Sequence, residues 1–169
     1  NVQGGNAKLF AWYPGQAGGT ALAEIIFGEK NPSGHLPLTF YEDISDLPPF
    51  EDYHMENRTY RYFTGRPLYP FGYGLSYTEW SVADAVLSED GISVNVQNNG
   101  HMDGDAVVQV YVRIDSPDAP VHPRLCGFAR VSVPAGEKRN TLIHLDRLTD
   151  TVVNERGERV KADCLHFYI

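Results

Sequence analysis

At 169 residues, with 42% hydrophobic and 21% charged positions, the chain has the make-up of a globular protein with room for one domain or one domain plus part of another. A net charge of -8 without a dense Lys/Arg cluster argues against nucleic acid and anionic membrane surfaces as partners. No apolar run approaches the roughly 20 residues of a membrane-spanning helix, and the opening Asn1-Val2-Gln3-Gly4-Gly5 reads as neither a signal nor a transit peptide, so the compartment stays unassigned.

In chain order, Ala7 to Tyr13 predicts a buried strand and Pro14 to Gly19 a turn. Thr20 to Phe27 predicts a helix with Leu22, Ile25 and Ile26 on one apolar face and a stop at Gly28. After the turn Asn31-Pro32-Ser33-Gly34, Leu36 to Phe40 predicts a second strand, and the acidic, proline-punctuated stretch Tyr41 to Asn57 predicts coil. Arg58 to Phe63 reads as a short strand with Tyr60 and Tyr62 on one face. Beyond it Gly65, Pro67, Pro70, Gly72 and Gly74 force an irregular path. Rings packed this densely rarely all face water, so Tyr69, Phe71, Tyr73 and Tyr77 are expected to be pinned between two packed bodies.

Near Trp80 the composition changes to short alternating runs. Val82 to Leu87, Ile92 to Val96, Val107 to Ile114, Leu125 to Val133, Thr141 to Leu145, Thr151 to Val153 and Leu165 to Ile169 predict strands. Ser88-Glu89-Asp90-Gly91, Asn98-Asn99-Gly100, Asp103-Gly104, Pro134-Ala135-Gly136 and Glu155-Arg156-Gly157-Glu158 supply the corners of an antiparallel sandwich. The run Val107 to Val112 is apolar on nearly both faces, which predicts a central strand. The strand, helix and strand before residue 41 amount to about 40 residues, too few to bury a core of their own. Their apolar helix face must lie on a larger body, on another copy of the chain, or on the sandwich.

Candidate chemistry is sparse. Cys126 and Cys164 are too few for a disulfide scaffold and read as buried free thiols. Glu42, Asp43, Glu51, Asp52 and Glu56 read as a solvated acidic loop, because adjacent positions do not make two carboxylates face each other. The glycines of Pro14 to Gly19 lack the spacing and the Lys of a phosphate loop. The six histidines show no metal spacing and Asp103-Gly104-Asp105 has too few ligands for calcium, so no cofactor and no metal is predicted. Asn57-Arg58-Thr59 fits a glycosylation acceptor, a pattern short enough to arise by chance. The aromatics from Tyr53 to Tyr77 read first as filling between domains and second as stacking surfaces for a ligand with apolar faces, with Tyr53, His54 and Arg58 as candidate substrate-contacting residues at a cleft edge.

Several separated motifs resemble one family. Trp12-Tyr13-Pro14-Gly15-Gln16-Ala17-Gly18-Gly19, Asn31-Pro32-Ser33-Gly34-His35-Leu36-Pro37-Leu38-Thr39-Phe40, Tyr60-Arg61-Tyr62-Phe63 and Leu68-Tyr69-Pro70-Phe71-Gly72-Tyr73-Gly74-Leu75-Ser76-Tyr77 are similar, in order and spacing, to the C-terminal part of glycoside hydrolase family 3. Asn98-Asn99-Gly100, Asp103 to Tyr111 and Leu125-Cys126-Gly127-Phe128 resemble that family's fibronectin type III-like domain. Tyr53-His54-Met55 with Arg58 to Phe63 resembles its β-xylosidase group more than typical β-glucosidases.

The resemblance implies a mainly β fold: a partial α/β (strand-helix-strand) segment over 1–57, an aromatic connector over 58–80, and an immunoglobulin/fibronectin type III-like β-sandwich over 81–169. The last of these lacks the additional strand usual in relatives, and Asp163 stands where they commonly have Gly. The resemblance also implies a parent that hydrolyses terminal β-linked xylose or glucose with retention. Its Asp nucleophile sits on a barrel domain and its Glu acid/base on the α/β domain, both upstream of Asn1, so the chain alone is expected to be inactive. The expected partners are the remainder of the parent and its oligo- or polysaccharide substrate, with self-association through the Leu22, Ile25, Ile26 face. The alternative is a non-catalytic stabilising or carbohydrate-binding module.

Overall fold

The computed structural model describes residues 5–169. Helix α1 spans Gly18–Ile26, starting at Gly18 rather than Thr20 because Gly18 N–H already turns back to the Gly15 carbonyl at 2.9 Å. Its end is as expected: Gly28 takes a left-handed φ of 75° while Glu29 N–H reaches back to the Glu24 carbonyl at 2.8 Å. The apolar face is only partly covered, with Leu22 and Ile25 half-buried and Ile26 and Phe27 exposed.

Three expectations for the first seventy residues need correction. Ala7 to Tyr13 forms no strand; Leu9, Phe10 and Trp12 are about half exposed and Tyr13 fully so. Trp12 sits at φ 52°, which breaks any extended run, and no strand among the described residues pairs with this segment. Phe10 instead packs edge-on to Trp12 and Phe40, at centroid distances of 4.4 and 5.2 Å. The second strand shrinks to β1, Phe40–Tyr41, and Arg58 to Phe63 forms one helical turn, α2, Thr59–Tyr62. Asn57 and Thr59 both adopt positive φ there. Their reward is local: Thr59 N–H donates to the Tyr41 hydroxyl at 3.0 Å and Thr64 N–H to Asn57 Oδ1 at 3.2 Å, overriding the alternation of Tyr60 and Tyr62.

The connector is also more regular than its prolines suggest. Pro67–Tyr69 forms β2, antiparallel to β1, and the contact continues as paired bonds of 2.8 Å from Leu36 N–H to the Tyr73 carbonyl and from Gly72 N–H to the Leu36 carbonyl. Tyr69 and Phe71 are half-buried as expected, whereas Tyr73 and Tyr77 are exposed.

From Trp80 onward the chain is a two-layer β structure. Its long strands are β3 (Trp80–Ser88), β4 (Gly91–Asn98), β5 (Gly104–Ile114), β6 (Arg124–Val133) and β7 (Lys138–Ile143). The small ribbon β8 (Thr151–Val153) with β9 (Arg159–Lys161) follows, and then β10 (Leu165–Tyr168). One sheet has the order β3-β4-β7 and the other β10-β5-β6, all antiparallel. Strand β9 has no counterpart among the predicted strands, since Arg159, Val160 and Lys161 are all exposed and leave no burial period to read.

Between the sheets Ile92, Val94 and Val96 of β4 and Ala106, Val108, Val110, Val112 and Ile114 of β5 meet Cys126, Val133, Ile143 and Val152, all buried. Strict period-two burial along β4 and β5 follows from the pleat. The second apolar face of β5 is accounted for by the connector, which covers Gln109 and Tyr111 from outside, so β5 is the central strand of its sheet. Asn98 is fully buried yet saturated: Nδ2 donates to the Met102 and Val133 carbonyls at 2.8 and 3.0 Å, and Oδ1 accepts from Gly100 N–H at 3.1 Å and from the Thr78 hydroxyl. Cys126 is buried, its thiol pushed up to about 11 by burial and donating to the Val110 carbonyl at 3.3 Å. Cys164 is exposed, which corrects its reading as a core thiol: it lies just before β10, at the sheet edge.

Candidate functional site

Tyr53, His54 and Arg58 are brought together by one loop, and Arg58 is what shapes it. Its guanidinium donates to three backbone carbonyls, those of His54 at 3.0 Å, Pro49 at 3.2 Å and Asp52. A fork of donors spent on main-chain oxygens is a clasp, because each bond fixes the loop and leaves less of the charge for a ligand. Asp52 closes the same turn by accepting from the His54 N–H at 2.9 Å and facing the His54 ring Nδ1 at 2.8 Å. That backbone bond, followed by the ring contact, holds the Asp52 carboxyl below its usual value. Tyr53 and the His54 side chain, 86% and 89% exposed, project from the tip of the clasped loop.

Asp43 and Asp46 do similar local work. Asp43 accepts from Ser45 N–H at 2.9 Å and Asp46 accepts from Asp43 N–H at 3.1 Å, a reciprocal cap on the short 3-10 turn Ile44–Asp46. Carboxylates turned onto the backbone of their own loop are not arranged as an acid and a nucleophile facing each other across a sugar ring. The Asn57 side-chain oxygen is likewise engaged, accepting from the Thr64 N–H and, at 3.4 Å, from its hydroxyl.

Elsewhere the connector and the outer face of β5 line an open hollow of about 460 Å³. Tyr60 and Phe71 stack at 4.1 Å and 16°, with Tyr111 edge-on to both. The Tyr60 hydroxyl accepts from Leu125 N–H at 2.9 Å, so this ring is anchored to β6. Tyr111 donates to Gln109 Oε1 at 2.5 Å while Gln109 Nε2 donates to the Gly72 carbonyl at 3.2 Å, and burial raises the phenol to about 12. Thr39 contributes a buried hydroxyl with no hydrogen-bond partner. His122 closes the rim, with Nε2 at 2.8 Å from the Phe63 carbonyl.

Sequence reasoning singled out Tyr60 and Phe71 as aromatics but not Thr39, Tyr111 or His122. The signal was present for Tyr111, since a strand apolar on both faces must be covered on both. Thr39 and His122 reach the hollow through pairings of distant segments that no local pattern announces. Among the described residues no helix is long and apolar enough to cross a membrane.

Comparison with known proteins matches residues 2–77 to the glycosyl hydrolase family 3 C-terminal domain and residues 106–167 to a fibronectin type III-like domain. The chain is 45% identical over 149 residues to xylan 1,4-β-xylosidase of Xylanibacter ruminicola, covering 84% of this chain and 17% of that protein. It is 36% identical over 166 residues to the periplasmic β-glucosidase of Salmonella typhimurium, covering 85% of this chain and 22% of that protein. Among solved structures, a β-glucosidase from Streptomyces venezuelae in complex with D-glucose superposes with a TM-score of 0.75 at 30% identity, over 93% of this chain and 24% of that one. The chain thus spans less than a quarter of the length of each of these relatives.

Proposed function

Because this chain belongs to glycoside hydrolase family 3, carrying that family's C-terminal domain and the fibronectin type III-like domain after it, we propose that it is the C-terminal part of a retaining, exo-acting β-glycosidase. The substrate class is terminal β-linked xylose or glucose, in keeping with the names of its relatives. The catalytic Asp and Glu then belong to other parts of that enzyme, and in this chain residues 1–57 are the end of the α/β domain, 58–80 the connector and 81–169 the sandwich. The observation that carries this reading is the coverage: the alignment takes in 84% of this chain but 17% of the xylosidase, while Asp43 and Asp46 of the acidic loop are spent on capping their own turn.

In the assembled enzyme Tyr53 and His54 stand at the rim of the sugar cleft, and Arg58 acts on substrate through the loop it clasps. A pyranose offers apolar C–H patches to a phenol ring and hydroxyl edges to an imidazole, so these two side chains suit that place. The test has two arms. The chain alone, given chromogenic β-xyloside and β-glucoside, is expected to show no turnover; turnover at rates typical of an enzyme overturns the division of labour. In the full-length protein, Tyr53→Ala and His54→Ala are expected to raise KM more than they lower kcat.

A second reading, a carbohydrate-binding module, is favoured by one observation, the Tyr60/Phe71 hollow with the unpaired Thr39 hydroxyl. Retention of the isolated chain on insoluble xylan, lost in Phe71→Ala, would support it.

A further inference from the structure

At the outer edge of the sandwich three potential metal ligands converge. Cys164 and His166 are two positions apart in an extended segment, so their side chains leave the same face, while Leu165 and Phe167 between and beyond them turn to the core. Asp115, the residue that follows β5, sits opposite Cys164, its N–H bonded to the Cys164 carbonyl at 3.3 Å. The pairing of β10 with β5 therefore places all three on one side of one sheet edge.

His166 Nε2 lies 2.9 Å from Asp115 Oδ2 and 3.6 Å from Cys164 Sγ, and the three donor atoms all fall within 4.8 Å of one another. The same ring nitrogen faces both partners. A catalytic Cys-His-Asp relay uses the two ring nitrogens separately, one for the thiol and one for the carboxylate, so this geometry is not a relay. Convergence on a single point is instead the geometry of coordination. A tetrahedral zinc ion with bonds of about 2.3 Å to sulfur and about 2.0 Å to nitrogen needs its S and N ligands roughly 3.5 Å apart, close to the separation already present.

We infer that Cys164, His166 and Asp115 form a surface binding site for a zinc-class divalent cation, one that clips the edge strand β10 to β5. The donor set selects the ion: thiolate and imidazole favour Zn²⁺ over Ca²⁺ or Mg²⁺, which require clustered hard oxygens. Arg113, opposite His166 in the register, adds a positive charge beside the site and further disfavours ions held by electrostatics alone. Three protein ligands on an exposed edge leave the fourth position to water. Bound metal stabilises the chain because its ligands are converged only when β10 is paired.

The test uses the purified chain, stripped with chelator and titrated with Co²⁺ as a spectroscopic stand-in for Zn²⁺. One equivalent of Co²⁺ is expected to produce tetrahedral d–d bands and a thiolate-to-cobalt charge-transfer band, both bleached by Zn²⁺ and unaffected by Ca²⁺. Cys164→Ser is expected to remove the charge-transfer band, and His166→Ala and Asp115→Asn to weaken Zn²⁺ binding at least about tenfold. All three positions are exposed, so the variants keep the fold, checked by far-UV circular dichroism. Zn²⁺ is also expected to raise the wild-type Tm and to leave that of Cys164→Ser unchanged. Absence of a one-equivalent cobalt–thiolate band, or Zn²⁺ binding and thermal shift undiminished in Cys164→Ser, overturns the site.

Discussion

The Tyr77 hydroxyl donates to the Ile25 carbonyl at 2.8 Å, joining the end of the connector to the last turn of α1 across 52 positions of sequence. Asn31 works beside it, its Oδ1 accepting from Tyr77 N–H at 2.8 Å and Ser76 Oγ at 2.9 Å. The helix is thereby tied to the connector by polar bonds, since its own apolar face is only half covered. Tyr77→Phe removes one neutral bond at a partly exposed site and is expected to cost about 0.5–1 kcal/mol. Urea unfolding checks the loss, and hydrogen exchange is expected to quicken in α1 before it quickens in β4 or β5.

Asn98 carries a larger share of the stability. Asn98→Leu leaves the Thr78 hydroxyl, the Gly100 N–H and the Met102 and Val133 carbonyls without their partner in a site that is fully buried. Each buried polar group left unpaired costs about 1–3 kcal/mol, so a loss of at least about 2 kcal/mol is expected. The urea midpoint should fall with the slope unchanged; a loss below about 0.5 kcal/mol would falsify the assignment of Asn98 as the polar node of the core.

How far the sequence disclosed this arrangement depended on where each residue's partners lie. Val94, Val96, Val108 and Val110 announce their burial through the period of the strand itself, so the sandwich was legible almost throughout. Arg58 to Phe63 misled, because Tyr60 and Tyr62 mimic a strand while the deciding bonds run from Thr59 N–H to the Tyr41 hydroxyl and from Thr64 N–H to the Asn57 side-chain oxygen. The Tyr53, His54, Arg58 grouping was legible as a neighbourhood; that Arg58 is spent on carbonyls was not, since a guanidinium looks the same whether it binds a ligand or a loop. The Cys164, His166, Asp115 cluster was missed, because Cys-Leu-His is too short a pattern to mark a site and Asp115 joins it only through the register of β10 on β5.

Gly72 tests how closely the connector lies on β5. It adopts φ +80°, and a Cβ added there would stand 2.4 Å from Gln109 Oε1 and 2.6 Å from the Tyr111 hydroxyl. Gly72→Ala combines a strained backbone with a clash and is expected to lose about 1–3 kcal/mol by urea denaturation. Adding Gln109→Ala should restore part of that loss, because it removes the nearer obstacle; no recovery at all would show that the clash contributes nothing.

Acid stability should reflect Asp105, which links β5 to β6 by accepting from Ser132 Oγ at 2.5 Å and Arg130 Nε at 2.8 Å. The Ser132 bond, then Arg130, holds its carboxyl below the usual value. A pKa depressed on folding contributes stability that is present above the unfolded value, about 3.9, and is lost as pH falls through the lower folded value. Asp105→Asn is therefore expected to lower stability at pH 7 and to flatten its decline below about pH 4, read from urea midpoints across that range.

The two cysteines should respond oppositely to a thiol-alkylating reagent at pH 8. Cys126 is buried between the sheets with its thiol raised to about 11, so both access and the thiolate fraction are suppressed. Cys164 is exposed, though its hydrogen bond to Asp115 also favours the protonated thiol, which slows its reaction without blocking access. Mass spectrometry of the native chain is expected to show a single adduct at Cys164, with Cys126 labelled only in denaturant. Labelling of Cys126 at the rate of Cys164 would mean that the two sheets separate readily, contrary to the close packing of Val110 and Ile143 around it. Prior addition of one equivalent of Zn²⁺ should protect Cys164 alone, because a coordinated thiolate is shielded from the reagent while Cys126 has no part in the site.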